Sequence, residues 1–110
     1  MIILTFGYRK DIPFDEAYYL GTHLPLLSKK TVLEMGAVKY EVKKVLSTAA
    51  GAESPYSFIF QLYFETKEAL DTFIRDPRIK ELQDDVANYY RGEQDITIEE
   101  VVASFGPAGS

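Results

Sequence analysis

Four stretches of the chain alternate apolar and polar residues with the two-residue period of a β-strand. From Ile2 to Tyr8, Ile2, Leu4, Phe6 and Tyr8 share one face, and Ile3, Thr5 and Gly7 share the other. From Ala37 to Leu46, Val38, Tyr40 and Val42 alternate with Lys39, Glu41 and Lys43. One face of that stretch is wet, which suits the edge of a sheet. Tyr56 to Phe64 carries the strongest pattern, with Phe58, Phe60, Leu62 and Phe64 against Ile59, Gln61 and Tyr63. Ile96 to Phe105 is the fourth strand, with Val101, Ala103 and Phe105 on one face.

Between the strands the period changes to that of a helix. Phe14, Tyr18 and Gly21 recur at helical spacing, and Tyr19, His23, Leu26 and Leu27 form a second stripe. Asp15 and Glu16 put negative charge at the start, where free N–H groups favour it. Pro25 lacks an N–H and crowds the carbonyl of Gly21, so the helix should kink there and restart from about Leu26 to Met35. Gly36 suits the position that stops it. Thr66 is a natural N-cap for a helix carrying Leu70, Phe73 and Ile74. Asp76-Pro77 breaks and restarts that helix, with Ile79, Leu82 and Val86 continuing its stripe. Ser47 to Pro55 is small and turn-rich, a connector or a lid over a pocket.

The order is βαββαβ, a ferredoxin-like α+β fold with a four-stranded antiparallel sheet and both helices on one face. The other face should be polar if it meets water. Ile3, Ile59, Tyr63, Val101, Ala103 and Phe105 make it apolar in this reading. Leaving several such side chains wet forfeits several kcal/mol at about 25 cal/mol per Å². A homodimer packed through the sheet faces removes that cost.

At 110 residues the chain fits one domain, here residues 1–105, with 106–110 a loose tail. A net charge of -5 argues against nucleic acid and anionic membranes as partners. The absence of cysteine excludes disulfides, thiolate nucleophiles, Fe–S clusters and cysteine-bound zinc. No apolar run approaches the roughly 20 residues of a membrane span, and no leader is visible ahead of the first strand. The expectation is a cytoplasmic protein. Eight tyrosines and seven phenylalanines give a high aromatic share, suited to a ligand pocket or a buried interface.

The unusual choices gather in FDEAYYLGTHLPLL, residues 14–27, which holds the single histidine, His23. Its unperturbed pKa of about 6.5 makes it a proton shuttle at neutral pH. It can equally cap the carbonyl that Pro25 leaves free. Read as F-D-x-x-Y-Y-x-x-x-H-x-P-L, the stretch resembles the motif of the EthD-like family, small proteins of the dimeric α+β barrel class. The order of elements from Ile2 to Phe105 matches as well. The resemblance implies a ferredoxin-like homodimer with a pocket lined by the histidine helix. It implies less about chemistry. Some fungal relatives act as dehydratases or decarboxylases on polyketide intermediates, and the wider class includes cofactor-free monooxygenases, lactone isomerases and haem-degrading enzymes.

One histidine without cysteine builds no common zinc site. No Gly-rich nucleotide loop or serine-hydrolase elbow is present. Haem on His23 is conceivable, but the family motif implies no such ligand. No cofactor is expected. Two readings follow. In the first, His23 is acid or base on a flat, oxygenated organic ligand held between helices and sheet. Phe6, Tyr8 and Phe60 are the sheet-side walls, and Tyr19 lies one turn before His23, its phenol able to orient a carbonyl. In the second, the protein is a non-catalytic dimeric binding module or an accessory to an oxygenase. The lack of a second obvious acid/base group beside His23 favours that reading.

Overall fold

The computed structural model describes residues 1–28 and 31–107. Strand β1 (Ile2–Arg9) is followed by one turn of helix, α1 (Glu16–Tyr18), a π-helical segment (Tyr19–Ser28) and α2 (Thr31–Glu34). Strands β2 (Lys39–Lys44) and β3 (Tyr56–Phe64) lead to α3 (Lys67–Arg75), α4 (Arg78–Asp84), a 3₁₀ turn (Asp85–Asn88) and β4 (Asp95–Glu100). The sheet is antiparallel throughout, in the order β2-β3-β1-β4. This is the ferredoxin-like α+β fold, with the predicted wet strand β2 at one edge.

The period-two faces fall where alternation places them. Ile2, Leu4, Phe6 and Tyr8 are buried against the helices beside Phe58, Phe60, Leu62 and Phe64. Leu70, Phe73, Leu82 and Val86 cover them from the helix side. Local chemistry sets the ends. The Thr66 hydroxyl accepts the Ala69 N–H, and the Asp76 carboxylate accepts the Arg78 N–H across Pro77. Gly36, at φ 109°, closes α2. The N–H groups of Gly36 and Ala37 reach back to the carbonyls of Leu33 and Val32, the paired bonds of a Schellman end.

Three expectations change. Pro25 does not produce a kink and a fresh helix. The chain runs as a π-helix through it, and the wider register takes the preceding carbonyl off the proline ring. Of the helical piece expected from Leu26 to Met35, only α2 forms a separate α-helix; Lys29 and Lys30 lie outside the described residues. The fourth strand stops at Glu100, not Phe105. Its pairing with β1 ends at Ile2 opposite Glu100, with one further bond from the Val101 N–H to the Met1 carbonyl. Past that point an edge strand has no neighbour to pair with, and Val102 and Phe105 stand exposed. The tail expected at 106–110 falls partly on 108–110, outside the described residues.

The sheet back is also less apolar than predicted. Ile3, Ile59 and Tyr63 lie there half-buried. Around them Thr5 bonds Glu99, Gln61 bonds Thr5, Lys43 bonds Gln61, and Tyr63 donates to Glu41 at 2.5 Å. The apolar part is therefore a strip on the two central strands with a hydrogen-bonded polar rim.

Candidate functional site

Between the helix layer and the sheet lies a narrow cleft with about 30 Å³ of free space. Its walls include Phe6, Tyr8, Tyr19, His23 and Phe60, so the five residues singled out in the sequence meet at one place. Tyr89, Gln83 and Gln94 also line it. The 47–55 connection contributes nothing to the walls and is a connector, not a lid over this cleft.

The π-helical segment puts Tyr19 and His23 on its inner side, at 1% and 5% exposure. Their rings lie nearly parallel, 5.8 Å apart at 14°. The segment is tied to the far end of the fold by the Asp15 N–H, which donates to the Tyr89 carbonyl at 2.8 Å. A β-bridge between Phe14 and Tyr90 adds a second tie. These ties bring the 3₁₀ turn against the histidine.

There the structure supplies what the sequence did not show. Asp85 Oδ2 lies 2.8 Å from His23 Nδ1. Its other oxygen accepts the Tyr18 hydroxyl and the Asn88 amide, each at 2.8 Å. Asp84-Asp85 reads in sequence as surface charge, yet the Asp85 side chain is only 13% exposed. The signal that could have found it is its phase. Asp85 stands three residues after Leu82 and four before Tyr89, on the inward stripe of its helix. His23 therefore does not cap a carbonyl freed by Pro25 through Nδ1; that nitrogen is committed to Asp85.

Burial pushes the Asp85 carboxyl up, but hydrogen bonds from His23, Tyr18 and Asn88 outweigh it and hold the group below the usual carboxylate range. It is ionised at neutral pH, and an ionised carboxylate only accepts. The proton between them belongs to His23 Nδ1, and Nε2 carries the lone pair. Burial lowers the histidine pKa by more than the Asp85 bond and charge raise it. His23 is a neutral imidazole at pH 7 in the tautomer of a general base.

The phenols form a second group. Tyr8 Oη and Tyr89 Oη are 2.9 Å apart, and the Gln94 amide lies 2.8 Å from Tyr8 Oη. The Tyr19 hydroxyl makes no hydrogen bond of good geometry among the described residues, and burial first, then the neighbouring Tyr8 hydroxyl, raises its pKa. Among the described residues no three His, Asp or Glu side chains converge as a metal site.

The sequence profile of the EthD domain matches residues 14–93. The chain belongs to the EthD family. Among solved structures, an EthD-like protein from Ralstonia eutropha JMP134 superposes with a TM-score of 0.76 at 25% identity, over 94% of each chain. An EthD-family protein from Bacillus halodurans C-125 gives a TM-score of 0.72 at 23% identity, over 91% of this chain and 97% of that one. A protein from Deinococcus radiodurans described as a putative antibiotic biosynthesis monooxygenase gives 0.68 at 20% identity, over 99% and 100%. That last likeness is one of fold. A comparison with curated proteins returned no match. The EthD domain thus spans the histidine segment, the tyrosine pair and the 3₁₀ turn that carries Asp85. No helix among the described residues is long and apolar enough to cross a membrane.

Proposed function

We propose that this EthD protein binds a small oxygenated organic compound in the cleft and that His23 acts on it as a general base, then as the matching acid. The observation that carries this reading is the 2.8 Å contact of His23 with a half-buried, ionised Asp85. A base needs a fixed tautomer and an orienting partner, and Asp85 provides both. The binding-module reading rested on the lack of a second acid/base group near His23, and the fold removes that premise. The reaction class is a proton transfer within the range open to the family: dehydration, decarboxylation, isomerisation or cofactor-free oxygenation.

The cleft is closed to a whole aromatic molecule at rest, since about 30 Å³ holds about two waters. It adjoins a wider surface groove, and Gln83, Val86 and Gln94 border both. The ligand enters through that seam. The protein works as a homodimer through its sheet backs. Ile3, Ile59 and Tyr63 form the central contact, and the exposed Val101–Phe105 extension reaches over the partner.

The test starts from protein purified without added ligand. Native mass spectrometry identifies what co-purifies, and that compound is incubated with the wild type and with His23→Ala. The wild type converts it, and His23→Ala slows conversion by about 10²–10⁴-fold while the fold persists. Recovery of the compound unchanged after long incubation with wild type makes the protein a binding module.

A further inference from the structure

Tyr8, Tyr19 and Tyr89 bring three hydroxyl protons to the wall beside His23. One hydrogen bond, Tyr8 to Tyr89, joins two of them. The Gln94 amide lies 2.8 Å from Tyr8 Oη and, by its oxygen or its nitrogen, completes the hydrogen bonding of that pair. Tyr19 has no partner among the described residues. Of the three phenols, Tyr19 is therefore the one whose proton lacks an acceptor among the described residues. All three side chains are at most 3% exposed, so bulk water does not serve them. Buried donors normally find partners, and an orphaned hydroxyl on the wall of a cleft calls for an oxygen from outside. The Tyr19 and Tyr89 rings lie 5.8 and 4.7 Å from that of His23.

We infer that the Tyr19 hydroxyl is the donor of a subsite for an acceptor oxygen, and that the cleft takes an enolisable carbonyl compound whose carbonyl end enters between Tyr19 and His23. The inference rests on the reading of the cleft given above and narrows it to a substrate class. Burial raises the pKa of all three phenols, so they remain donors at neutral pH. The free space fits a carbonyl group in place of water, and the rest of the molecule lies in the groove along Tyr90–Gln94 and Ile96.

The step balances within the protein. His23 Nε2 takes the proton from the carbon next to the carbonyl. The C–H electron pair becomes the C=C bond of the enolate, and the carbonyl π pair moves onto oxygen, where Tyr19 donates to it. The imidazolium returns its proton to the same carbon or, in a conjugated substrate, to a more distant one, giving an isomer.

Three probes test this on the full chain: 2-naphthol as a flat mimic of an enolate, naphthalene as its hydrocarbon control, and 2-tetralone for deuterium uptake from solvent read by NMR. Wild type binds 2-naphthol about tenfold or more tighter than naphthalene. Tyr19→Phe erases that difference, leaves naphthalene binding unchanged and slows deuterium uptake by about 10²-fold. It does not lower the melting temperature, because the resting protein gives that hydroxyl no partner. A lowered melting temperature with an unchanged affinity ratio makes the hydroxyl structural and overturns the inference. Equal binding of both naphthalenes by wild type overturns the oxygen subsite while the small-molecule cleft stands. No binding and no deuterium uptake by wild type overturns both.

Discussion

At the scale of single residues, the decisive fact is which nitrogen of His23 holds the proton. Asp85 fixes it, and the charge and hydrogen bond of Asp85 both raise the histidine pKa against burial. Asp85→Asn therefore lowers that pKa further, read from imidazole chemical shifts, and costs about 10²-fold in turnover. A folded-state pKa below the ordinary value of about 6.5 has a sign. As pH falls below about 6.5 the unfolded chain takes up a proton that the folded chain refuses. The contribution of His23 to stability is present above that pH and is lost as pH drops through the folded pKa. Denaturant midpoints across pH 5–7 show this slope in wild type, and His23→Gln flattens it. Base-dependent turnover rises with pH on the same limb and is level at neutral pH. His23 and Tyr19 were legible in the sequence because a lone histidine and paired tyrosines stand out locally. Asp85 was not, because 62 positions separate it from its partner and only folding brings them together.

At the scale of elements, the π-helical segment aims the site. Pro25 sits inside it and removes the N–H that would close an ordinary turn. Pro25→Ala lets the segment relax to α-helix, which turns His23 relative to Asp85. Stability is kept or gained, while the histidine pKa falls further, as in Asp85→Asn, and turnover falls; a crystal structure showing an intact His23–Asp85 contact would remove proline from this role. On the sheet back, Tyr56 lies over Gly7, where an added Cβ would sit 2.7 Å from Cε1 of the ring. Gly7→Ala displaces that ring and its 2.8 Å bond to Asp95, at a cost of about 1–3 kcal/mol measured by denaturant unfolding. Caps and strand faces were readable because each depends on residues a few positions apart. The π register was not, since a proline in a helical stretch announces a break without saying how the backbone absorbs it.

At the scale of the whole molecule, one face of the sheet holds the cleft and the other is proposed to hold a second copy. The back carries Ile3 and Ile59 within a rim of Thr5, Gln61, Glu41 and Glu99. Sedimentation at micromolar concentration shows a dimer, and Ile59→Asp shifts it to monomer by placing a charge at the centre of the contact. A wild-type monomer under those conditions ends the proposal.

The sequence by itself determined the order of the strands along the chain, the buried faces of the two central strands, the caps at Gly36, Thr66 and Asp76, and the histidine segment. Each of these follows from alternation, helical spacing or a cap, and all act over a few residues. Tertiary structure decided where β4 stops, how polar the sheet back is, and that Asp85 holds His23. Those depend on which distant segments lie side by side: an edge strand ends where its neighbour does, and a carboxylate becomes an orienting group only when the fold buries it against an imidazole.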